Sequence, residues 1–141
     1  ESGLYPFAQS SVGARGLMQL MPATARRMAR QLGLPYRREK LFQADYNVTL
    51  GSHYYQSLLT RFNGHRPKAL AGYNAGPNRV ERWADRDIPI DRWIDSLPFK
   101  ETREYVQAVL AYTVIYRARE GEAVKVLTRD EWSLSHQRKN L

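Results

Sequence analysis

The sequence of 141 residues has no cysteine, no long apolar run and relatively few acidic residues. The lack of cysteine excludes disulfides, zinc–thiolate sites and a cysteine nucleophile. No stretch approaches the roughly 18 consecutive apolar residues that would span a membrane, so no transmembrane segment is predicted. The length favours a single domain with a sizeable hydrophobic core.

The deficit of acidic residues gives the chain a strong positive charge. It has 14 Asp and Glu against 22 Lys and Arg, for a net charge of +8. Such a charge suits a polyanionic partner, namely nucleic acid, an anionic membrane surface or an acidic glycan. A solvated basic surface explains the charge equally well. Arginine greatly outnumbers lysine, and its planar guanidinium pairs well with carboxylates.

Helical periodicity dominates the chain, and no pair of alternating runs predicts a sheet. The longest helix, 100–119, is apolar on most faces, and we therefore expect it to be central and buried. Asp45 or Asn47 is the expected N-cap of the helix that starts near residue 47. The fold class predicted is mainly α, with helices at about 22–32, 47–62, 67–75, from 77 onward, 91–97 and 100–119.

Three short segments are hard to explain by packing alone. The chain opens with Glu1-Ser2, residues 16–21 read GLMQLM, and residues 71–76 read AGYNAG. Small residues beside tyrosine, asparagine and glutamine can form a cleft that hydrogen-bonds an uncharged sugar polymer. Each segment also has a plain alternative: a solvated terminal charge, a glutamine that bonds a nearby carbonyl, and glycines that allow close helix packing.

Taken together and in order, these segments resemble a known family. The pattern ES…S.VGARGLMQLMPATA…AGYNAGP…ETREYV is similar to the catalytic domain of the soluble lytic transglycosylases, in the lysozyme-like superfamily. The resemblance implies a goose-type, lysozyme-like helical domain with a substrate groove. It covers residues 1–119, and 120–141 is then a C-terminal extension. In that family the catalytic glutamate lies within a helix that begins upstream, so we expect 1–141 to be the C-terminal catalytic domain of a longer chain.

The resemblance also implies an activity and a set of site residues. The expected reaction is non-hydrolytic cleavage of the β-1,4 bond between N-acetylmuramic acid and N-acetylglucosamine in peptidoglycan, leaving a 1,6-anhydromuramoyl end. Glu1 matches the family's catalytic acid/base. Neither a metal nor a cofactor is implied. The residues that match substrate-binding positions are Ser10, Gln19, Met21, Tyr73, Asn74, Glu101 and Tyr105.

The implied partners are the glycan strands and stem peptides of peptidoglycan, with other cell-wall enzymes as candidates, and no nucleic acid. The implied location is the periplasm of the bacterial cell envelope. The carboxylates on the stem peptides are the implied partner of the positive charge.

Two other functions remain open at this point. A hydrolytic muramidase of the same fold would use a second carboxylate, such as Glu101 or Asp45, to activate water. A non-catalytic module that binds glycan or nucleic acid would need exposed aromatic and basic residues interleaved on one face. The tyrosines fall mostly at core-like helical spacing, which argues against the second function.

Overall fold

A computed structural model of the chain describes residues 3, 5–83 and 88–133, and within them the fold is mainly α, as predicted. Those residues form no strand, and they contain only two isolated antiparallel bridges, Gln9 to Arg15 and Arg15 to Leu20. Glu1 lies outside the described residues. The α-helices, in chain order, are α1 (Pro22–Gln31), α2 (Ala44–Arg61), α3 (Arg66–Ala75), α4 (Pro77–Trp83), α5 (Ile90–Asp95), α6 (Lys100–Arg119) and α7 (Arg129–Ser133).

Proline and glycine set most of these boundaries. Pro22 occupies the first turn of α1, where its missing N–H costs nothing, and Gly33 follows the helix with a φ of 66°. The sequence misses the 3₁₀ helix Arg38–Phe42 and the short helix α7. Both elements are too short to show a clear period.

The predicted start of α2 was wrong. The helix begins at Ala44, so Asp45 and Asn47 lie inside its first turn and neither is the N-cap. Asn47 is completely buried, and its side chain bonds loop backbone instead of its own helix end. An asparagine near a helix start can cap the helix or can bond backbone from another part of the chain, and here the bonds to other backbone determine its role.

The predicted burial of α6 was also wrong. Only a single stripe, formed by Thr102, Val106 and Leu110, is buried. Tyr112 and Tyr116 are 59% and 60% exposed. The i, i+4, i+8 spacing of the buried residues defines one narrow face. The apolar residues on the other faces of α6 are half-buried, as Val109 is, or exposed, as Ile115 is.

The chain divides into two compact units, Glu1–Ser57 and Leu58–Leu141, with the boundary inside α2. Buried side chains of the first unit come from the loop before α1, from α1, from the 3₁₀ helix and from α2; they include Leu20, Met28, Leu41 and Leu50. In the second unit α3 packs on α4 and α6, and α5 packs on α6. Gly72 lets α3 approach Phe62, the residue after α2, since an added Cβ would lie 3.1 Å from the Phe62 ring.

The short helix α7 is tied to the start of α3 by one carboxylate. Glu131 pairs with the guanidinium of Arg66 through both oxygens, at 2.6 and 2.8 Å, and it accepts the backbone N–H of Thr128 at 2.7 Å. Burial would raise the pKa of Glu131, but the Arg66 and backbone N–H donors outweigh it and lower the pKa. The neighbouring His65, also buried, accepts from the N–H of Lys68 and caps α3.

In the described part of the chain, every helix is too short or too polar to cross a bilayer.

Candidate functional site

The predicted site residues of the first unit lie on an irregular loop, residues 8–21, that folds back on itself. Ser10 closes the tight turn that precedes Ala14: its backbone N–H donates to the Ala14 carbonyl and its hydroxyl accepts the Ala14 N–H, both at 2.9 Å. Gly13, with a φ of 95°, completes the turn. The Ser10 hydroxyl is therefore held in place while its own proton remains available to donate.

Gln19 holds the two arms of this loop together. Its side-chain NH₂ donates to the carbonyl of Gly16 at 2.8 Å and to that of Ala8 at 3.2 Å. Its backbone has a φ of 48°, which is uncommon for a residue other than glycine. Because both amide protons face backbone carbonyls, the side-chain oxygen is the group through which Gln19 can bind a ligand.

The loop rests on one buried amide, that of Asn47. Its Oδ1 accepts the Met18 N–H at 2.8 Å, and its Nδ2 donates to the carbonyls of Arg15 at 2.9 Å and Leu41 at 2.8 Å. Gly16 has a φ of 76°, and a Cβ there would overlap the Asn47 amide and the Leu41 carbonyl. The conformation of the loop therefore depends on a glycine and an asparagine that fit each other.

Met21 lies at the junction between this loop and α1. It is the N-cap residue of the helix and its side chain is 42% exposed. An exposed thioether offers a flexible apolar surface, which suits contact with the apolar face of a sugar ring.

The predicted site residues of the second unit lie on two packed helices, α3 and α6. Asn74 of α3 donates through Nδ2 to Oε1 of Glu101 at 3.2 Å and accepts the Thr102 hydroxyl at Oδ1, at 2.6 Å. Thr102 is 1% exposed. A carboxylate can only accept, so the NH₂ of Asn74 faces Glu101, and the Thr102 hydroxyl holds that orientation by donating to the amide oxygen.

Two tyrosines of the same helices contact each other. The rings of Tyr73 and Tyr105 stack with centroids 6.5 Å apart and an interplanar angle of 15°. Both are half-buried. Stacked, partly exposed tyrosines beside a carboxylate and an amide supply both apolar surface and directional hydrogen bonds.

The structure thus brings Tyr73, Asn74, Glu101 and Tyr105 together in the second unit, and it places Ser10, Gln19 and Met21 on one loop in the first. Sequence reasoning missed Asn47 and Thr102 as the residues that position them. The available signals were weak: Thr102 lies inside ETREYV, and Asn47 follows Asp45-Tyr46 at a point that also fits a helix cap.

Comparison with known protein families gives two matches along the chain. The family described as "Transglycosylase SLT domain" matches residues 1–94, and "Soluble lytic transglycosylase helical domain" matches residues 96–124. The first match covers Ser10, Gln19, Met21, Tyr73 and Asn74, and the second covers Glu101 and Tyr105.

Individual relatives agree with these matches. The soluble lytic murein transglycosylase of Salmonella typhimurium is 39% identical over 137 residues, which are 94% of this chain and 21% of that protein. An inactive mutant of the lytic transglycosylase Slt of Pseudomonas aeruginosa superposes with a TM-score of 0.87 at 42% identity, over 93% of this chain and 22% of that one.

A complex of the 70-kDa soluble lytic transglycosylase with bulgecin A superposes with a TM-score of 0.88 at 35% identity, over 94% of this chain and 22% of that one. The chain therefore spans about a fifth of the length of the relatives that it matches.

Proposed function

The chain belongs to the transglycosylase SLT family, and on that basis we propose that it is a peptidoglycan lytic transglycosylase. The reaction is cleavage of the β-1,4 bond between N-acetylmuramic acid and N-acetylglucosamine, with a 1,6-anhydromuramoyl end as product. The observation that carries the proposal is the family match, supported by relatives named as lytic murein transglycosylases along more than nine-tenths of the chain.

Glu1 is the proposed catalytic residue. The inactive Pseudomonas relative carries a Glu→Gln substitution, which indicates that a carboxylate is essential in that protein. We assign the same role to Glu1 because it opens the ES pair that precedes the family's other motifs in this sequence. Glu1→Gln keeps the size of the side chain and removes its ability to donate and accept the proton.

A single carboxylate is sufficient for this reaction. Ordinary glycosidases use one carboxyl as an acid and a second as nucleophile or as base toward water. In the proposed mechanism Glu1 protonates the leaving glycosidic oxygen, the sugar's N-acetyl group stabilises the positive charge at C1, and the same carboxylate then removes the proton of the C6 hydroxyl as that oxygen attacks C1. The attached hydroxyl outcompetes external water because its effective concentration is very high.

The remaining predicted residues are assigned to substrate binding. Glu101, held by Asn74, presents a carboxylate that accepts sugar hydroxyls, and the stacked rings of Tyr73 and Tyr105 offer a surface for a sugar face. In the other unit the Gln19 carbonyl, the Ser10 hydroxyl and the Met21 thioether contribute to binding. A hydrolytic role for Glu101 is not favoured, since the relatives are named as transglycosylases.

The wider setting is part of the same proposal. We assign residues 1–141 to the catalytic domain of a cell-wall enzyme of the periplasm, with a lysozyme-like groove, a core of 1–119 and an extension of 120–141. The partners are glycan strands with their stem peptides, and other cell-wall enzymes are candidates.

The test compares the wild type with Glu1→Gln on purified peptidoglycan. We expect the wild type to release soluble muropeptides and the variant to release none above background. Bulgecin A, which forms a complex with the 70-kDa relative, serves as a binding probe that does not require catalysis. Retained binding of bulgecin A by Glu1→Gln would separate loss of chemistry from loss of folding, and full activity of the variant would refute the role of Glu1.

A further inference from the structure

The positive charge of the first unit takes no part in the contacts described above for the predicted site. Its described residues, 3 and 5–57, carry seven arginine and lysine side chains but only two carboxylates, Glu39 and Asp45. Within that range none of the seven forms an ion pair, since the ion pairs of the described chain join residues of the second unit. The first unit therefore presents positive charge that its own described carboxylates do not neutralise.

Three of these cations share one side of α1, which we call the α1 arginine face: Arg26, Arg27 and Arg30. The helix buries Ala25, Met28 and Ala29 on the opposite side. At 100° per residue the three arginines fall within an arc of about 100°. All three are exposed, and α1 contains no acidic residue.

Two of the arginines are pre-positioned by aromatic rings. The guanidinium of Arg26 lies 5.2 Å from the centre of the Tyr36 ring, and that of Arg27 lies 5.7 Å from the centre of the Tyr54 ring. A guanidinium that lies over a ring keeps its charge, and its planar fork of N–H donors can bind a carboxylate in a bidentate manner. Stacking also lowers the entropy that is lost when an anion binds.

We propose that the α1 arginine face binds the free carboxylates of peptidoglycan stem peptides. This inference rests on the proposed function, since it takes the glycan to be bound at the segment Gln19–Met21. Met21 is the N-cap of α1, and Arg30 lies nine residues further along, a rise of about 14 Å. An extended peptide of about four residues has the same reach, so a stem peptide attached to a sugar near Met21 spans the distance to the arginine face.

The α1 arginine face lies on the helix that Met21 begins, and this position favours a carboxylate on the bound substrate over other polyanions. A nucleic acid or an anionic lipid surface would meet the same charge, but neither would be delivered by a glycan bound at the preceding loop. Their binding is therefore an outcome that the experiment must distinguish.

The experiment uses the Glu1→Gln background, so that strands are bound and not cleaved. The test variant adds Arg26→Gln, Arg27→Gln and Arg30→Gln. The matched control adds Arg82→Gln, Arg92→Gln and Arg129→Gln, which remove the same charge from three exposed arginines of the second unit. Each protein is titrated with glycan strands that carry stem peptides and with strands from which an amidase has removed them.

We expect the test variant to bind peptide-bearing strands roughly tenfold more weakly at low salt, with little change on peptide-free strands, because three charge-assisted contacts are lost. The control should match the parent on both. Replacing Arg26 and Arg30 by lysine should restore part of the affinity, since the charge returns without the planar fork. Circular dichroism melting establishes that each variant is folded, and Arg26→Gln with Arg30→Gln replaces the triple variant if loss of the Arg27 contact unfolds it.

Equal binding by test variant and parent on peptide-bearing strands would overturn the inference, as would an equal loss on peptide-free strands. A loss seen with DNA or with anionic phospholipid vesicles but not with peptide-bearing strands would overturn it too. These results are distinct from failure of the proposed function, which would appear as a wild-type protein that cleaves no peptidoglycan.

Discussion

The two units hold their predicted site residues, and their cations, in different ways. In the first unit the site residues lie on a loop that is fixed by the buried amide of Asn47 and by the side chain of Gln19. In the second they lie on helices α3 and α6, and the Thr102 hydroxyl holds one of them, Asn74. The described cations of the first unit form no ion pair and four of them lie over rings, whereas the second unit has both ion pairs, such as Arg66 with Glu131, and ring contacts, such as Arg79 over Phe99.

The difference predicts how each unit responds to the loss of a single contact. A loop has no ladder of local hydrogen bonds, so its shape depends on a few long-range contacts, and the loss of one of them affects several residues. A helix keeps its backbone geometry without the site, so a lost side-chain contact changes orientation more than stability. An arginine that is paired with a glutamate has its charge neutralised within the protein, whereas one that lies over a ring keeps its charge available to an external anion.

The largest effect should follow from Asn47→Ala. The substitution leaves the carbonyls of Arg15 and Leu41 and the N–H of Met18 without their partner in a largely buried site. We expect the free energy of unfolding to fall by about 4 kcal/mol, measured by urea denaturation. Asn78→Ala is the control, because Asn78 is an exposed acceptor for Arg61 and its loss should cost less than about 1 kcal/mol. Equal losses for the two variants would contradict the role of Asn47.

The next largest effect is a dependence of the free energy of unfolding on pH, which arises from His65 in the second unit. Burial, helped by the nearby charge of Lys68 and opposed by Glu131, lowers the pKa of His65 from 6.5 to about 4. The unfolded chain therefore takes up a proton at higher pH than the folded chain does. The contribution of neutral His65 to the free energy of unfolding is complete above pH 6.5 and is lost as the pH falls toward 4. The expected loss is about 3 kcal/mol over that window, measured by denaturation at successive pH values.

His65→Asn provides the control for this titration. Asparagine can still cap α3 by accepting the Lys68 N–H, but it does not titrate. We expect the slope of unfolding free energy against pH to flatten between pH 6.5 and 4.5. Below that range the carboxylate of Glu131, whose pKa is also lowered, begins to protonate and destabilises both proteins. An unchanged slope in His65→Asn would show that another group titrates.

The smallest effect on stability should come from Thr102→Val. Valine has nearly the same shape but cannot donate to Asn74, whose amide is then free to rotate away from Glu101. We expect a loss of about 1 kcal/mol in the free energy of unfolding and a larger proportional fall in cleavage rate. Thr102→Ser keeps the hydroxyl and should retain most of the activity. If Thr102→Ser cleaves as slowly as Thr102→Val, the hydroxyl does not position the site.

Most of the helices were predictable because proline, glycine and apolar periodicity act locally. Pro22, the Gly76-Pro77 pair and the span of α6 all appear in the structure as the sequence indicates. The role of Asn47 was not predictable, because its partners lie 6 to 32 residues away in the chain. The exposure of Tyr112 and Tyr116 was not predictable either, since periodicity marks apolar residues without showing what covers them.

The candidate site, too, was predictable only in part from the sequence. The residue types of AGYNAG and ETREYV indicated a cluster of hydrogen-bonding and aromatic groups, and the structure brings Tyr73, Asn74, Glu101 and Tyr105 together. Sequence could not show that Thr102 orients Asn74, because that depends on the packing of α3 against α6. It also could not show that the amide protons of Gln19 are used by the loop itself.

The most direct test of the central claim is mass spectrometry of the muropeptides that the wild-type protein releases from purified peptidoglycan. A lytic transglycosylase releases 1,6-anhydromuramoyl products, which lack one water relative to the hydrolytic products and have no reducing end. Products of that mass, absent from digests with Glu1→Gln, are the predicted result. Products with a reducing muramoyl end would contradict the account and would indicate hydrolysis with a second carboxylate.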